Sequence, residues 1–203
     1  MSSTKMQLTK SPPIFIPDSF EGYPISSFCL QHVPADDLSS VLIPGGLVKD
    51  RIERLGLDIS FDLDKEEEFI FLCVLKGGFQ FFNQLLEVVR QYHRFNADRS
   101  LEGTIKGKAR RIQAEFIRLV SYEDDTSVGS VRIIGLENLA SLKGQNVLVV
   151  EDIIDSGLTM QTLVKALEKE QAKSVRVASL FYKRTAKNKI NYVPDCECDL
   201  FML

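Results

Sequence analysis

Three carboxylates stand within five residues at the end of an apolar run in VLVVEDIIDSGLTM. Glu151 and Asp152 directly follow four apolar residues, and Asp155 comes after two isoleucines. Ionised carboxylates at the mouth of a buried strand are costly unless they hold a cation or accept hydrogen bonds. Carboxylate oxygens suit Mg²⁺, which is usually bound together with phosphates and its own waters. The pattern indicates a site for a polyhydroxy ligand, a metal ion or both; a solvated charged surface is the alternative.

The turn after Asp155 has the residues of an anion site. Ser156 and Thr159 offer hydroxyl groups, Gly157 permits close backbone approach, and an amphipathic helical pattern follows with Met160 as its first apolar position. The free N–H groups at a helix start, with a dipole equivalent to about half a positive charge, favour an anion. We therefore expect a phosphate here, beside acids that hold the attached sugar.

The elements that must position these residues alternate between strands and helices. Apolar runs at 69–74, 115–122, 147–150 and 174–183 predict strands; helical patterns occupy PGGLVKDRIERLGLDIS, FQFFNQLLEVVRQYHRF and the segment after Thr159. VRIIGL is a further short strand, and RFNADRSLEGTIKGKARRIQ is expected to be a surface loop. Non-alternating strands that alternate with helices indicate an α/β fold whose central parallel sheet is covered on both faces. Ligands of such sheets lie beyond the carboxyl ends of the strands.

Bulk properties exclude several classes of protein. The 203 residues, 44% of them hydrophobic, suit one globular domain, and a formal net charge of -3 argues against a nucleic-acid partner. The apolar runs are too short to span a bilayer, and MSSTKMQLTKSPPIFIP lacks the apolar region of a secretory signal. A cytoplasmic protein is therefore expected. Four cysteines do not indicate a disulfide framework in such a chain.

Several segments together resemble one enzyme family. VLVVEDIIDSGLTMQTL is similar to the motif that binds phosphoribosyl pyrophosphate (PRPP) in phosphoribosyltransferases, specifically those of the hypoxanthine-guanine type. FLCVLKGGFQFF, EFIRLVSY, LKGQNVLVVEDIID and SLFYKRT agree with the purine branch and stand in the expected order. The resemblance covers most of residues 15–195. It implies the phosphoribosyltransferase-type fold, a homo-oligomer, and the substrates PRPP and a 6-oxopurine base.

The resemblance also implies roles for the motif residues. Glu151 and Asp152 match an acidic pair that holds the ribose hydroxyls and, directly or through water, the magnesium ion. Asp155 matches a catalytic aspartate that handles the proton on the purine ring nitrogen beside the bond-forming one. The turn at 156–159 matches the 5'-phosphate loop, although Leu158 stands where many relatives have a basic or small residue.

Three further sites are implied outside this motif. Lys76 and Gly77 match the pyrophosphate loop, in which a non-proline cis peptide bond precedes the lysine. Ser121 and Tyr122 match the tip of a mobile loop that closes over the reacting groups. Lys183 matches the lysine that contacts the exocyclic oxygen of a 6-oxopurine and so rejects adenine.

The chain departs from the family in two segments. Residues 101–113, LEGTIKGKARRIQ, are longer than the corresponding stretch, and the ending NYVPDCECDLFML does not resemble the family's C-terminal strands. We therefore expect a weakly structured arm at 1–14, the transferase domain at 15–195 and a divergent tail at 196–203. The resemblance then implies that the C-terminal part of the family's hood is missing.

Two functional hypotheses follow. The first is a purine salvage enzyme that converts hypoxanthine or guanine and PRPP to IMP or GMP and pyrophosphate. The alternative is a catalytically weak or inactive PRPP-binding isoform that associates with full-length subunits. A transferase for another base is disfavoured by Lys183.

Overall fold

The computed structural model describes residues 12–30, 34, 37–63, 68–100, 111–121, 131–135, 139–185 and 196–202. Within these ranges the chain forms seven strands and three α-helices. In chain order they are β1 Ile14–Phe15, α1 Gly45–Leu63, β2 Glu68–Leu75, α2 Phe79–Ser100, β3 Arg111–Ser121, β4 Val131–Ile134, β5 Asn146–Ile154, α3 Leu158–Lys169, β6 Ser174–Lys183 and β7 Cys196–Met202.

All seven strands belong to one sheet in the order β1-β7-β6-β5-β2-β3-β4. Every neighbouring pair is parallel except β3 with β4, which is antiparallel. The central strands β2 and β5 consist almost wholly of buried residues. Strands buried on both faces need no alternation of polar and apolar residues. The predicted α/β class, with a central parallel sheet flanked by helices, is confirmed.

Each face of the sheet carries its own apolar core. Alternate residues of β2, such as Phe71 and Cys73, pack with α1 and α2 on one face. Their neighbours, such as Leu72, pack with Met160, Leu163 and Leu167 of α3 on the other face. The 3.6-residue period of the helices and the two-residue period of the strands together produce this division. No helix in the described ranges has the length and hydropathy needed to cross a membrane.

Two boundaries differ from the sequence-based expectations. Helix α2 continues through Ser100, because residues 96–100 include no proline or glycine that would end it. Strand β3 begins at Arg111, since Arg111–Gln113 pair with Glu68–Ile70 of β2. Residues 101–110 of the expected surface loop lie outside the described residues.

The segment expected to be a divergent tail contributes a strand. Cys196–Met202 forms β7 and lies between β6 and β1 in the sheet. At the boundary between the expected arm and the expected domain, Ile14–Phe15 forms β1 and pairs with Leu200 and Phe201. Two segments far apart in the sequence thus meet at one side of the sheet.

Candidate active site

The carboxyl ends of four neighbouring strands bring the predicted site residues to one edge of the sheet. Lys76 follows β2, the acidic motif closes β5, Lys183 ends β6 and Ser121 ends β3. The last pair of the β5–β6 ladder is Ile154 with Tyr182, so Asp155 and Lys183 each follow that pair by one residue. The expectation of a common edge is confirmed for these positions. Tyr122 lies outside the described residues.

The loop after β2 lies directly against the acidic motif. The peptide bond between Leu75 and Lys76 is cis, as the resemblance implies. A Cβ atom added to Gly77 would lie 2.5 Å from Asp152 Oδ2, closer than real Cβ contacts come. A Cβ atom on Gly78 would lie 2.7 Å from the Val74 carbonyl oxygen. Packing against the backbone therefore requires glycine at position 78, while the close approach of Gly77 to Asp152 joins the candidate pyrophosphate loop to a candidate metal ligand.

The acidic pair accepts hydrogen bonds from its own strand. The backbone N–H of Asp152 donates to Glu151 Oε1 at 3.1 Å, and the backbone N–H of Ile153 donates to Asp152 Oδ1 at 2.9 Å. These bonds fix both carboxyl groups at the strand end and leave Asp152 Oδ2 directed toward Gly77. Burial, followed by a hydrogen bond and charge repulsion from Asp152, raises the pKa of Glu151 to about 9. The raised pKa favours the protonated form of Glu151 in the ligand-free site.

The turn before α3 has the geometry of an anion site. Gly157 has φ 76°, in the left-handed region that glycine adopts without strain, and forms the N-cap of the helix. The Gly157 carbonyl accepts the backbone N–H of Gln161 at 2.9 Å, and Ser156 Oγ accepts that of Leu158 at 3.4 Å. Leu158 itself is 39% exposed. The first turn of α3 therefore presents backbone N–H groups beside Asp155.

A cleft of about 810 Å³ lies between α1 and α2 and reaches the site. Gly77 and Asp152 line it, and its apolar wall includes Ile52, Phe81 and Phe181. Its polar rim consists of Lys49, Glu53, Gln80, Gln84, Glu87 and Gln91. The sequence predicted both helices but not this cleft, because its width depends on how the two helices cross. No signal within either helix alone would have revealed it.

Arg184 holds the N-terminal segment beside the end of β6. Its guanidinium donates to the Ile16 carbonyl at 2.9 Å, forms an ion pair with Asp18 and lies 4.1 Å from the centre of the Phe15 ring. These contacts give Arg184 a structural role at this end of the sheet. The partners could not be identified from sequence, since Asp18 lies 166 residues away.

The fold and the site together define a phosphoribosyltransferase. The defining features are the largely parallel sheet, the cis peptide bond before Lys76 and the acidic end of β5 joined to the N-terminus of α3. A family model described as the phosphoribosyl transferase domain matches residues 44–200. Hypoxanthine-guanine phosphoribosyltransferases from Mus musculus and Homo sapiens are each 43% identical over 187 residues, covering 92% of this chain and 80% of theirs.

A solved structure gives the same assignment. The hypoxanthine-guanine phosphoribosyltransferase of Schistosoma mansoni in complex with IMP is 32% identical and superposes with a TM-score of 0.66. The similarity covers 94% of this chain and 81% of that one. The chain belongs to the hypoxanthine-guanine phosphoribosyltransferase family.

Proposed function

We propose that this protein is a purine salvage enzyme, a pentosyltransferase that joins the ribose of PRPP to hypoxanthine or guanine. The products are IMP or GMP and pyrophosphate. The observation that carries the proposal is the shared edge at which Asp152 meets Gly77 while Asp155 and Lys183 extend from one pair of the β5–β6 ladder. The 43% identity with transferases of this specificity supports the choice of substrates. The comparisons do not favour the alternative of an inactive binding isoform.

The substrates divide the edge between them. PRPP lies across the ends of β2 and β5, with its 5'-phosphate on the N–H groups at residues 156–159 and its pyrophosphate at Lys76 and Gly77. Glu151 and Asp152 hold the ribose hydroxyls. The purine lies toward β6, where the Lys183 ammonium donates to the exocyclic oxygen. Adenine has an amino group there and offers no acceptor, so Lys183 selects the 6-oxopurine.

Displacement at C1 of the ribose develops positive charge on the sugar and negative charge on the departing pyrophosphate. Lys76 and the backbone around Gly77 stabilise the leaving group. Asp155 accepts the proton of the purine ring as the new carbon–nitrogen bond forms. Closure of the loop that carries Ser121 and Tyr122 keeps water from the sugar cation.

The acidic pair fits a magnesium ion that arrives with PRPP. Mg²⁺ is usually held by one or two carboxylates together with substrate phosphates and water. No group of three or more His, Cys, Asp or Glu side chains lies together in the described ranges, so the protein alone does not form a closed metal cage there. Asp152 Oδ2, beside the pyrophosphate loop, is well placed as one ligand. The ion would neutralise charge on the pyrophosphate.

Incubation of the purified protein with PRPP, Mg²⁺ and, in separate reactions, labelled hypoxanthine or labelled guanine tests the proposal. Formation of IMP supports it, and absence of both IMP and GMP would refute it. Asp155→Asn should lower turnover by about 100-fold or more, the usual range for loss of a proton-transfer group. PRPP affinity, measured by calorimetry, should change little. Equal losses of turnover and affinity would contradict the proton-transfer role of Asp155.

The same proposal includes a cytoplasmic homo-oligomer that binds no nucleic acid. The formal net charge of -3 supports the last point, since nucleic-acid binding requires an excess of basic surface. Light scattering of the purified protein measures the oligomeric state, and a monomer at micromolar concentration would contradict that part.

A further inference from the structure

Two consecutive residues near the end of β6 face the same side of the sheet. Side chains along a strand normally alternate between the two faces. Leu180 belongs to the core beneath α1 and α2, and Phe181 packs against that same core. Both also line the cleft between those helices. Tyr182 then belongs to the core on the α3 face. The alternation is therefore interrupted once, between Leu180 and Phe181.

Ser179 makes the hydrogen bond at this interruption. Its side chain is fully buried, and its hydroxyl donates to the Phe181 carbonyl oxygen at 2.8 Å. The pairing of β6 with β7 also shifts register here, because Ser179 and Phe181 pair with Glu197 and Leu200 and the extra residue belongs to β7. Register irregularities of this kind occur next to active sites. A buried hydroxyl that bonds two residues ahead holds the backbone in this local form.

The interruption decides the face on which Lys183 emerges. With strict alternation from Leu180, Tyr182 would face the cleft and Lys183 would face α3. Because Phe181 repeats the face of Leu180, Tyr182 turns toward α3 and Lys183 returns to the side of the cleft. That side also contains Asp152 and Gly77. No ion pair or hydrogen bond joins the Lys183 side chain to another described residue. The backbone of β6, which pairs with Met202 at this position, therefore sets where the ammonium group lies.

We propose that Ser179 is a positioning residue for purine recognition. Its hydrogen bond to the Phe181 carbonyl holds the irregular strand end that directs Lys183 toward the 6-oxygen of the base. The inference rests on the proposed function and adds to it a residue that does not touch the substrate. Ser179 contributes to the affinity for the base and for IMP, and not to the affinity for PRPP.

The test compares Ser179→Ala with the unaltered protein by calorimetric titration of IMP and of PRPP with Mg²⁺. Loss of one neutral hydrogen bond should weaken IMP binding by about 3- to 10-fold, while PRPP affinity stays within about 2-fold. Ser179→Thr keeps the hydroxyl and should bind IMP nearly as the unaltered protein does. Ser179→Cys, which has only a weak donor, should behave as the alanine variant does.

A double-mutant cycle separates positioning from general damage. In a Lys183→Ala background, Ser179→Ala should produce no further loss of IMP affinity, because the lysine that it positions is absent. Equal losses in both backgrounds, or equal losses for Ser179→Thr and Ser179→Ala, would overturn the inference. If the unaltered protein bound neither PRPP nor IMP, the proposed function itself would fail. If it bound both and Ser179→Ala changed neither, only the positioning role would fail.

Discussion

Gly77→Ala should weaken PRPP binding by about 10- to 100-fold while leaving the fold intact. The added Cβ atom would lie 2.5 Å from Asp152 Oδ2 and 3.2 Å from Asp152 Cγ, against an ordinary contact of 3.4 Å. The carboxylate oxygen must therefore retreat by roughly 0.9 Å. Because only the end of a side chain moves, the cost in folding free energy is small. Misplacement of a substrate-binding group by about 1 Å is enough for a loss of around 100-fold.

The same glycine-to-alanine change at two other positions provides matched controls. A Cβ atom at Gly46, in the first turn of α1, would have no atom within 4 Å, so Gly46→Ala should stabilise the protein by about 0.5–1 kcal/mol and leave binding unchanged. At Gly78 the Cβ atom would lie 2.7 Å from a backbone oxygen that cannot retreat independently. Gly78→Ala should therefore lower the melting temperature.

Calorimetry of PRPP with Mg²⁺ and thermal melting of all three variants decide the matter. Gly46→Ala should bind PRPP with the same affinity as the unaltered protein. Gly77→Ala should bind PRPP about 10- to 100-fold more weakly. If Gly77→Ala bound PRPP normally, the proposed contact between the loop and Asp152 would be wrong. If it unfolded like Gly78→Ala, the argument that only the carboxylate yields would be refuted.

Two further predictions concern stability. The pKa of Glu151 rises from 4.5 in the unfolded chain to about 9 in the folded protein. The stabilisation of the metal-free protein by protonated Glu151 is therefore complete below about pH 4.5 and is lost as the pH rises toward 9. Denaturant titrations with chelator should give a lower free energy of unfolding at about pH 8 than at about pH 6, and Glu151→Gln should lack this difference. Arg184→Ala removes the bond to Ile16 and the Phe15 ring contact, so urea unfolding should show a loss of about 1–3 kcal/mol. Asp18→Asn should cost less than about 1 kcal/mol, since Asp18 is 78% exposed; equal losses would contradict this division.

Strands β5 and β6 were predictable because most of their residues are apolar. The predicted strand at 174–183 coincides with β6, and the apolar run at 147–150 lies within β5, which extends from Asn146 to Ile154. Their carboxyl ends hold the polar residues, so the edge of the sheet and its ligand chemistry followed together. The family resemblance added the roles of Asp155 and Lys183, which patterns of polarity alone do not assign.

What the sequence did not reveal depends on contacts between distant segments. Strand β7 lacks a simple apolar pattern in CECDLFM, and β1 has only two residues. Strand β7 forms because it pairs with both β6 and β1, and β1 forms because it pairs with β7. The hydrogen bond of Ser179 was likewise not foreseeable, since serine in an apolar strand is usually only a small core residue. The close contact of Gly77 with Asp152 required the distance between two loops.

The pairing of β1 with β7 has a consequence for the order of folding. Among the described strands β1 pairs only with β7, and its Ile14 finds its partner Leu200 at a very large separation in sequence. During synthesis β1 therefore has no place in the sheet until β7 has left the ribosome. Contacts of such long sequence separation form late and slowly. Until then the outer side of β6 offers unpaired backbone groups to any other nascent chain.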